Sequence, residues 1–251
     1  MAGAVVLVPS SKGKTEGGDG PAYAESASVT SHPLGEARRT VLDALAAAAD
    51  DLDDRGIGRL CGVRDADAPE HRARLRAVAG APTLPAVHRY AGVVHRYAEL
   101  GERPVDADVD VGFFGGLLGV AWLDDAVPGY RLEVTGRVPE LGVLGTWWRE
   151  AIADHLGQRA AGRLVYDLLP GEHARMWPES RRGDLDVVRV AFRRPDGRAA
   201  PSASTKVAKG RLLRLLLDAP ELTPDELAGT DEIPGWKLHP ADDGLEAVQV
   251  G

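Results

Sequence analysis

The chain has 251 residues and a mass of 26.6 kDa, with 44% hydrophobic and 27% charged residues and a formal net charge of -8. That length and apolar content support one large folded domain. The acidic balance argues against a surface broadly shaped for nucleic acid, while leaving room for a local basic cleft. The single cysteine, Cys61, excludes an intrachain disulfide and fits a reducing cytoplasm. No apolar run approaches the ~18 residues of a membrane span, and the opening residues show no signal-peptide pattern.

Ala4 to Val8 is a continuous apolar run and predicts a buried strand. It runs into Pro9-Ser10-Ser11-Lys12-Gly13-Lys14-Thr15, whose last three residues are like the ending of a phosphate-binding P-loop. The match fails because Val8 stands where that loop needs its first glycine, and the Gly-rich stretch after Glu16 cannot open a helix. A lysine at a strand end can still face an anion; a solvated loop is the alternative for Lys12 and Lys14. Residues 17–32 read as a mobile loop. Pro33 to Asp54 reads as a helix, with Val41, Leu42, Leu45, Ala48, Ala49 and Leu52 near helical spacing and an aspartate-rich end. Gly56-Ile57-Gly58 reads as a helix-terminating turn, or as the phosphate-gripping turn of a helix-hairpin-helix module.

Asp67 to Val78 and Ala86 to Leu100 predict two further helices. The second places His88, His95 and Glu99 within reach of one face. Neighbouring Arg89 and Arg96 would repel a cation, so we assign no metal site. In Gly116 to Glu133 the segment Gly-Leu-Leu-Gly-Val predicts a strand end or tight turn, and Asp124, Asp125, Pro128 and Gly129 supply turn chemistry. Alternation from Tyr130 to Val134 predicts a short strand with Arg131 and Glu133 on one face. Trp147 begins a helix to Leu156, Leu164 to Leu169 and Asp186 to Phe192 read as strands, and the Glu172-His173 pair follows the first of these. A Glu-His pair at a strand end suits acid-base work. Pro201 to Leu217 predicts a helix opened by a Ser or Thr cap, with Lys209 inside its apolar arc. A lysine there must snorkel out or meet an anion.

Several of these segments resemble the peroxide-stress protein YaaA family. The fit is ungapped from Gly116 to Glu133, at Gly116, Leu117, Gly119, Val120, Asp125, Tyr130, Arg131, Leu132 and Glu133. Lys14 and Thr15 match an N-terminal Ser-Pro-Ala-Lys-Thr signature. Ser202, Lys206 and Gly210 match a Ser-x-x-Ala-Lys-x-x-Arg-Gly motif, with Lys209 in place of its arginine. Trp122-Leu123 stands where the family has Arg-Pro, so one expected basic group is missing.

The resulting expectation is an α+β (mixed α/β) single domain over residues 1–251, with a central mixed sheet flanked by helices. The resemblance implies a cytoplasmic protein of the hydrogen-peroxide stress response that limits iron-dependent oxidative damage. The site hypothesis gathers Lys14, Arg131, Lys206 and Lys209 as an anion or nucleic-acid cleft. Glu133 and Glu172 serve as counter-charges or proton carriers, and Tyr130, Ser202 and Gly210 as support. No cofactor and no metal are assigned. The partner is DNA gripped in the cleft or an anionic small molecule, the latter including a phosphorylated substrate of an enzyme. The competing reading is a set of structural ion pairs, such as Arg131 with Glu172.

Overall fold

A computed structural model describes residues 3–105 and 108–250; residues 1–2, 106–107 and 251 of the expected domain lie outside the described residues. A mixed sheet of seven strands organises the chain, comprising β1 (Val5–Pro9), β2 (Asp110–Gly115), β3 (Gly119–Ala121), β4 (Leu164–Asp167), β5 (Asp186–Arg193), β6 (Trp236–Ala241) and β7 (Gly244–Gln249). Their spatial order is β6-β7-β5-β4-β1-β2-β3. The five central strands run parallel, and antiparallel partners close both edges. The α+β expectation with a central mixed sheet holds.

Strand β1 sits in the middle, with Val5 to Val8 fully buried. A parallel strand covered on both faces demands such an uninterrupted apolar run. The next sheet strand in the chain, β2, lies on one side of β1, and β4 on the other. The strand order therefore reverses at β1, and the crevice at the carboxyl ends of strands about such a reversal is where open α/β sheets bind ligands.

The principal helices are α1 (Gly35–Asp51), α2 (Asp54–Cys61), α3 (Ala68–Ala77), α4 (Arg149–Arg159) and α5 (Ser202–Asp218). Their apolar residues join the sheet in one core cluster, in which Val41, Leu45, Ala49, Leu212 and Leu213 are fully buried. Arg38, also fully buried on α1, ties that helix to the β2–β3 hairpin by donating to Leu118 O (3.1 Å), Val120 O (2.6 Å) and the Asp125 carboxylate (3.1 Å). Trp148 fills the other side of the hairpin. Its indole donates to Gly116 O at 2.9 Å, and its ring lies 2.6 Å from where a Cβ on Gly119 would stand, so the close approach and φ of +70° both require glycine there.

Five local expectations are corrected. Residues 17–32 are more than a loop: they carry short helices at Tyr23–Glu25 and Ala27–Thr30, and Tyr23 is buried. The glycines of Gly56-Ile57-Gly58 lie inside α2, because the Asp53 side chain caps the helix by accepting from Gly56 N at 2.7 Å. Residues 86–100 form two short helices, Ala86–Arg89 and Val93–Tyr97, interrupted where Tyr90 bridges to Lys14 and Gly92 presses on Ser11. Tyr130 to Val134 is irregular; the backbone N–H of Glu133 donates to Leu60 O at 3.0 Å, at the end of α2. No side chain caps α5 at its start: Pro201 holds the N-cap position and Ser202 is already the first helical residue.

Candidate functional site

A cleft of about 350 Å³ opens at the carboxyl edge of the parallel strands. Its walls come from the loop after β1 (residues 9–14), residues 92–95, residues 131–134, the segment after β4 with Pro170, Glu172 and His173, and the first turns of α5 with Ser202, Thr205, Lys206 and Lys209. The structure thus brings Lys14, Arg131, Lys206, Lys209, Glu133, Glu172 and Ser202 around one space. Tyr130 lies beneath it, and Gly210 lies in the contact between α5 and the helix Val93–Tyr97.

Lys14 is held by one carbonyl and two aromatic rings. Its ammonium donates to Ser11 O at 2.7 Å and lies 3.9 Å from the Tyr130 ring centroid and 5.4 Å from that of Tyr90. The two tyrosine hydroxyls are 3.2 Å apart. Burial, then the charges of Arg131 and Arg89, lower the Lys14 pKa to about 7, with Glu133 opposing. The loop that carries it is fixed by Arg89, a fully buried side chain on Ala86–Arg89. Its guanidinium donates to the carbonyls of Thr15, Gly17 (2.8 Å), Pro82 (3.2 Å) and Val127 (2.9 Å).

Lys209 is 7% exposed and donates to Leu168 O, with the Phe192 ring centroid 5.3 Å away. Burial lowers its pKa to about 8, against the raising effect of Asp167. The lysine inside the apolar arc therefore meets a carbonyl at the cleft wall and an aromatic face. Arg131 donates from Nε to Cys61 O and from Nη2 to Gly62 O, both at 3.2 Å, so it also closes the carboxyl end of α2. Glu133 pairs with Lys12, and Glu172 Oε1 lies 3.8 Å from His173 Nδ1. The Arg131–Glu172 pair is not formed; among the described residues Lys14, Arg131, Lys206 and Lys209 make no ion pair with a carboxylate.

Sequence reasoning gave two groups, His95 and Arg89, no part in the site. His95 is 3% exposed and lines the cleft, and neither imidazole nitrogen has a hydrogen-bond partner. Burial, then Lys14, lower its pKa to about 3. His173 is likewise lowered to about 4, by burial and then by Lys209 and Lys12. Both imidazoles are neutral at physiological pH and can accept a hydrogen bond or a proton. Arg89 is the other. The signal for His95 was present in its spacing from His88, but that pattern suggested a metal, and the structure separates the two: His88 is exposed while His95 is buried. Among the described residues no group of three His, Cys, Asp or Glu side chains is placed to hold a metal ion. Cys61 is buried and its thiol pKa is raised to about 11 by burial, which makes it unreactive. Trp122, in place of the expected arginine, donates to His155 Nε2 at 2.9 Å and stacks under Arg159, whose guanidinium carbon is 4.2 Å from a ring centroid.

Fold and cleft together define an α+β protein with a pocket lined by lysines and an arginine at the switch point of its sheet. The model of the family described as peroxide stress protein YaaA matches residues 5–242, and the chain belongs to that family. Its relatives include a UPF0246 protein of Streptomyces coelicolor, 30% identical over 219 residues that cover 85% of this chain and 82% of the relative. Another, from Corynebacterium glutamicum, is 31% identical over 218 residues, 84% of each chain. A third, from Corynebacterium efficiens, is 29% identical over 223 residues, 86% of each.

Proposed function

We propose that this chain serves the cytoplasmic response to hydrogen peroxide by binding a phosphate-bearing ligand of nucleotide size, and through it limits iron-dependent damage. The observation that carries the reading is the convergence of Lys14, Arg131, Lys206 and Lys209, without carboxylate partners among the described residues, on one cleft of about 350 Å³. That volume lies at the small-molecule end of ligand pockets. It admits one nucleotide unit, free or unstacked from a strand, and is too small to enclose a duplex. DNA therefore enters the reading as an end or an extruded nucleotide, with Lys12, whose side chain is 60% exposed, meeting the flanking phosphate.

The test is thermal unfolding with inorganic phosphate, a nucleoside monophosphate, single-stranded DNA and duplex DNA, at low and near-physiological salt. A ligand at ~100 times its Kd stabilises the fold by about 2.7 kcal/mol, which for a chain of this size raises Tm by about 5–10 °C. The expected result is stabilisation by the nucleotide and the single strand that falls with salt and is lost in Lys206→Ala and Lys209→Met. Absence of any shift, or a shift indifferent to both substitutions, overturns the reading.

A further inference from the structure

The 30 basic side chains of this chain are 25 arginines and five lysines. Arginine does the surface and structural work: Arg72, Arg76, Arg103, Arg163 and Arg182 all pair with carboxylates. Four of the five lysines, Lys12, Lys14, Lys206 and Lys209, line the one cleft. A chain that otherwise prefers arginine so strongly keeps the amine where the two differ chemically. Guanidinium binds anions at least as well as ammonium, but only an amine can lose its proton and act as a nucleophile.

Among the four, Lys14 has the setting of a nucleophilic amine. It sits on two tyrosine rings at the cleft floor, with Ser11 O fixing its nitrogen and no carboxylate in ion-pair contact. The charged and titratable groups around it are Arg131, Arg89, Glu133, His95, Tyr90 and Tyr130. Desolvation beside other cations is the arrangement that activates a lysine toward carbonyl compounds. The orphaned imidazole of His95 points to a further polar group that the ligand brings to this end of the cleft.

We propose that Lys14 is the site of imine formation with a phosphorylated aldehyde-bearing ligand, whose phosphate is held by Arg131, Lys206 and Lys209. This rests on the anion-binding reading of the same cleft. In the step, the Lys14 lone pair attacks the carbonyl carbon and a C–N bond forms. The carbonyl oxygen then leaves as water with the two amine hydrogens, giving the imine, and one further proton gives the iminium. Glu133 and His173, on the walls of the same cleft, exchange the protons. The chemistry is common to a ring-opened aldose phosphate and to the sugar of a DNA strand that has lost its base.

The test incubates the full chain with ribose 5-phosphate, with unphosphorylated ribose, or with an oligonucleotide bearing one abasic site, each with sodium cyanoborohydride, and maps adducts by peptide mass spectrometry. Reduction fixes the imine as a secondary amine whose added mass is that of the carbonyl compound less one oxygen. At about pH 7.5 an amine with a pKa near 7 has a neutral fraction at least ~100-fold that of an ordinary lysine. The expected adduct is therefore on Lys14, at least tenfold above that on the exposed Lys237, favoured by phosphate on the probe, and absent in a folded Lys14→Arg chain. The arm that gives the larger yield identifies the source of the ligand. Adducts spread evenly over the lysines, or none, overturn the inference. If ribose 5-phosphate or nucleotide still stabilises the fold in that case, the anion site stands and only the covalent step fails; if neither does, both readings fail.

Discussion

Replacing Gly210 by alanine separates packing from propensity, because the two predict opposite signs. Gly210 lies in the interior of α5, where alanine is favoured by about 1 kcal/mol. A Cβ at this position, however, would stand 2.6 Å from Val94 O and 2.6 Å from the Tyr97 Cβ, both on the short helix that forms one cleft wall. Ordinary contact would require the two helices to part by somewhat under one ångström, against a backbone carbonyl that already accepts from Ala98 N at 3.0 Å. Overpacking of this kind costs about 1–3 kcal/mol, and contact with backbone puts the cost at the upper end. The net expectation is a loss of about 2 kcal/mol, or roughly 4–8 °C in Tm. The matched control is Gly157→Ala in α4, where a Cβ meets nothing within 4 Å and the change should stabilise by up to about 1 kcal/mol. Urea unfolding of both variants, with the slope m checked for constancy, reads the difference. Lys206 and Lys209 precede Gly210 on the same helix, so Gly210→Ala should also weaken ligand stabilisation. A Gly210→Ala chain at least as stable as Gly157→Ala would refute the close packing between α5 and Val93–Tyr97.

Acid should destabilise the fold before its carboxylates titrate. His95, His32, His155 and His173 are held neutral, at about 3, 4, 4 and 4, against an unfolded value near 6.5. The unfolded chain therefore binds more protons, and stability falls as pH drops from about 6.5 toward the folded values. For His95 alone the loss by about pH 5 is about 2 kcal/mol, and His95→Leu should flatten the urea-measured slope by that much; an unchanged slope would contradict its burial as a neutral base. Arg38→Met should cost about 3–5 kcal/mol, because it strands the Asp125 carboxylate and the carbonyls of Ser28, Leu118 and Val120. A loss under about 1 kcal/mol in chemical denaturation would mean that these bonds do not hold α1 to the hairpin.

The strands were legible from their apolar residues, continuous in Ala4 to Val8, where both faces are buried, and interrupted by an exposed Arg189 in Asp186 to Phe192; these and Leu164 to Leu169 each overlap an observed strand. Helix α5 was legible from its apolar arc, including the anomaly of Lys209. The breaks were not. The interruption of residues 86–100 is imposed by Lys14 and Ser11, some 80 residues away in the chain, and no local pattern carries that contact. Tyr130 to Val134 alternates like a strand but finds its backbone partner at Leu60, the end of a helix. In the cleft, the charged residues were named through motif resemblance, while Arg89 and His95 escaped because each acts through partners distant in sequence.

How an acidic chain presents a cationic cleft follows from where its carboxylates go. Asp110 holds Arg159 and Arg163, Asp125 holds Arg38, Asp167 holds Arg182, and Asp218 holds Arg103 and Arg214. Among the described residues, the exposed Lys12 is the one cleft cation in an ion pair, with Glu133. The negative total charge is thus spread over a surface screened within about 8–10 Å by salt, whereas Lys14 and Lys209 sit where little water reaches and the local field is strong. On the proposed reading, this is the setting in which a phosphate group that enters the cleft is held. The cost of charging such a place also favours lysine over arginine at these two positions, because a group able to shed its proton can remain there until a ligand supplies the missing negative charge.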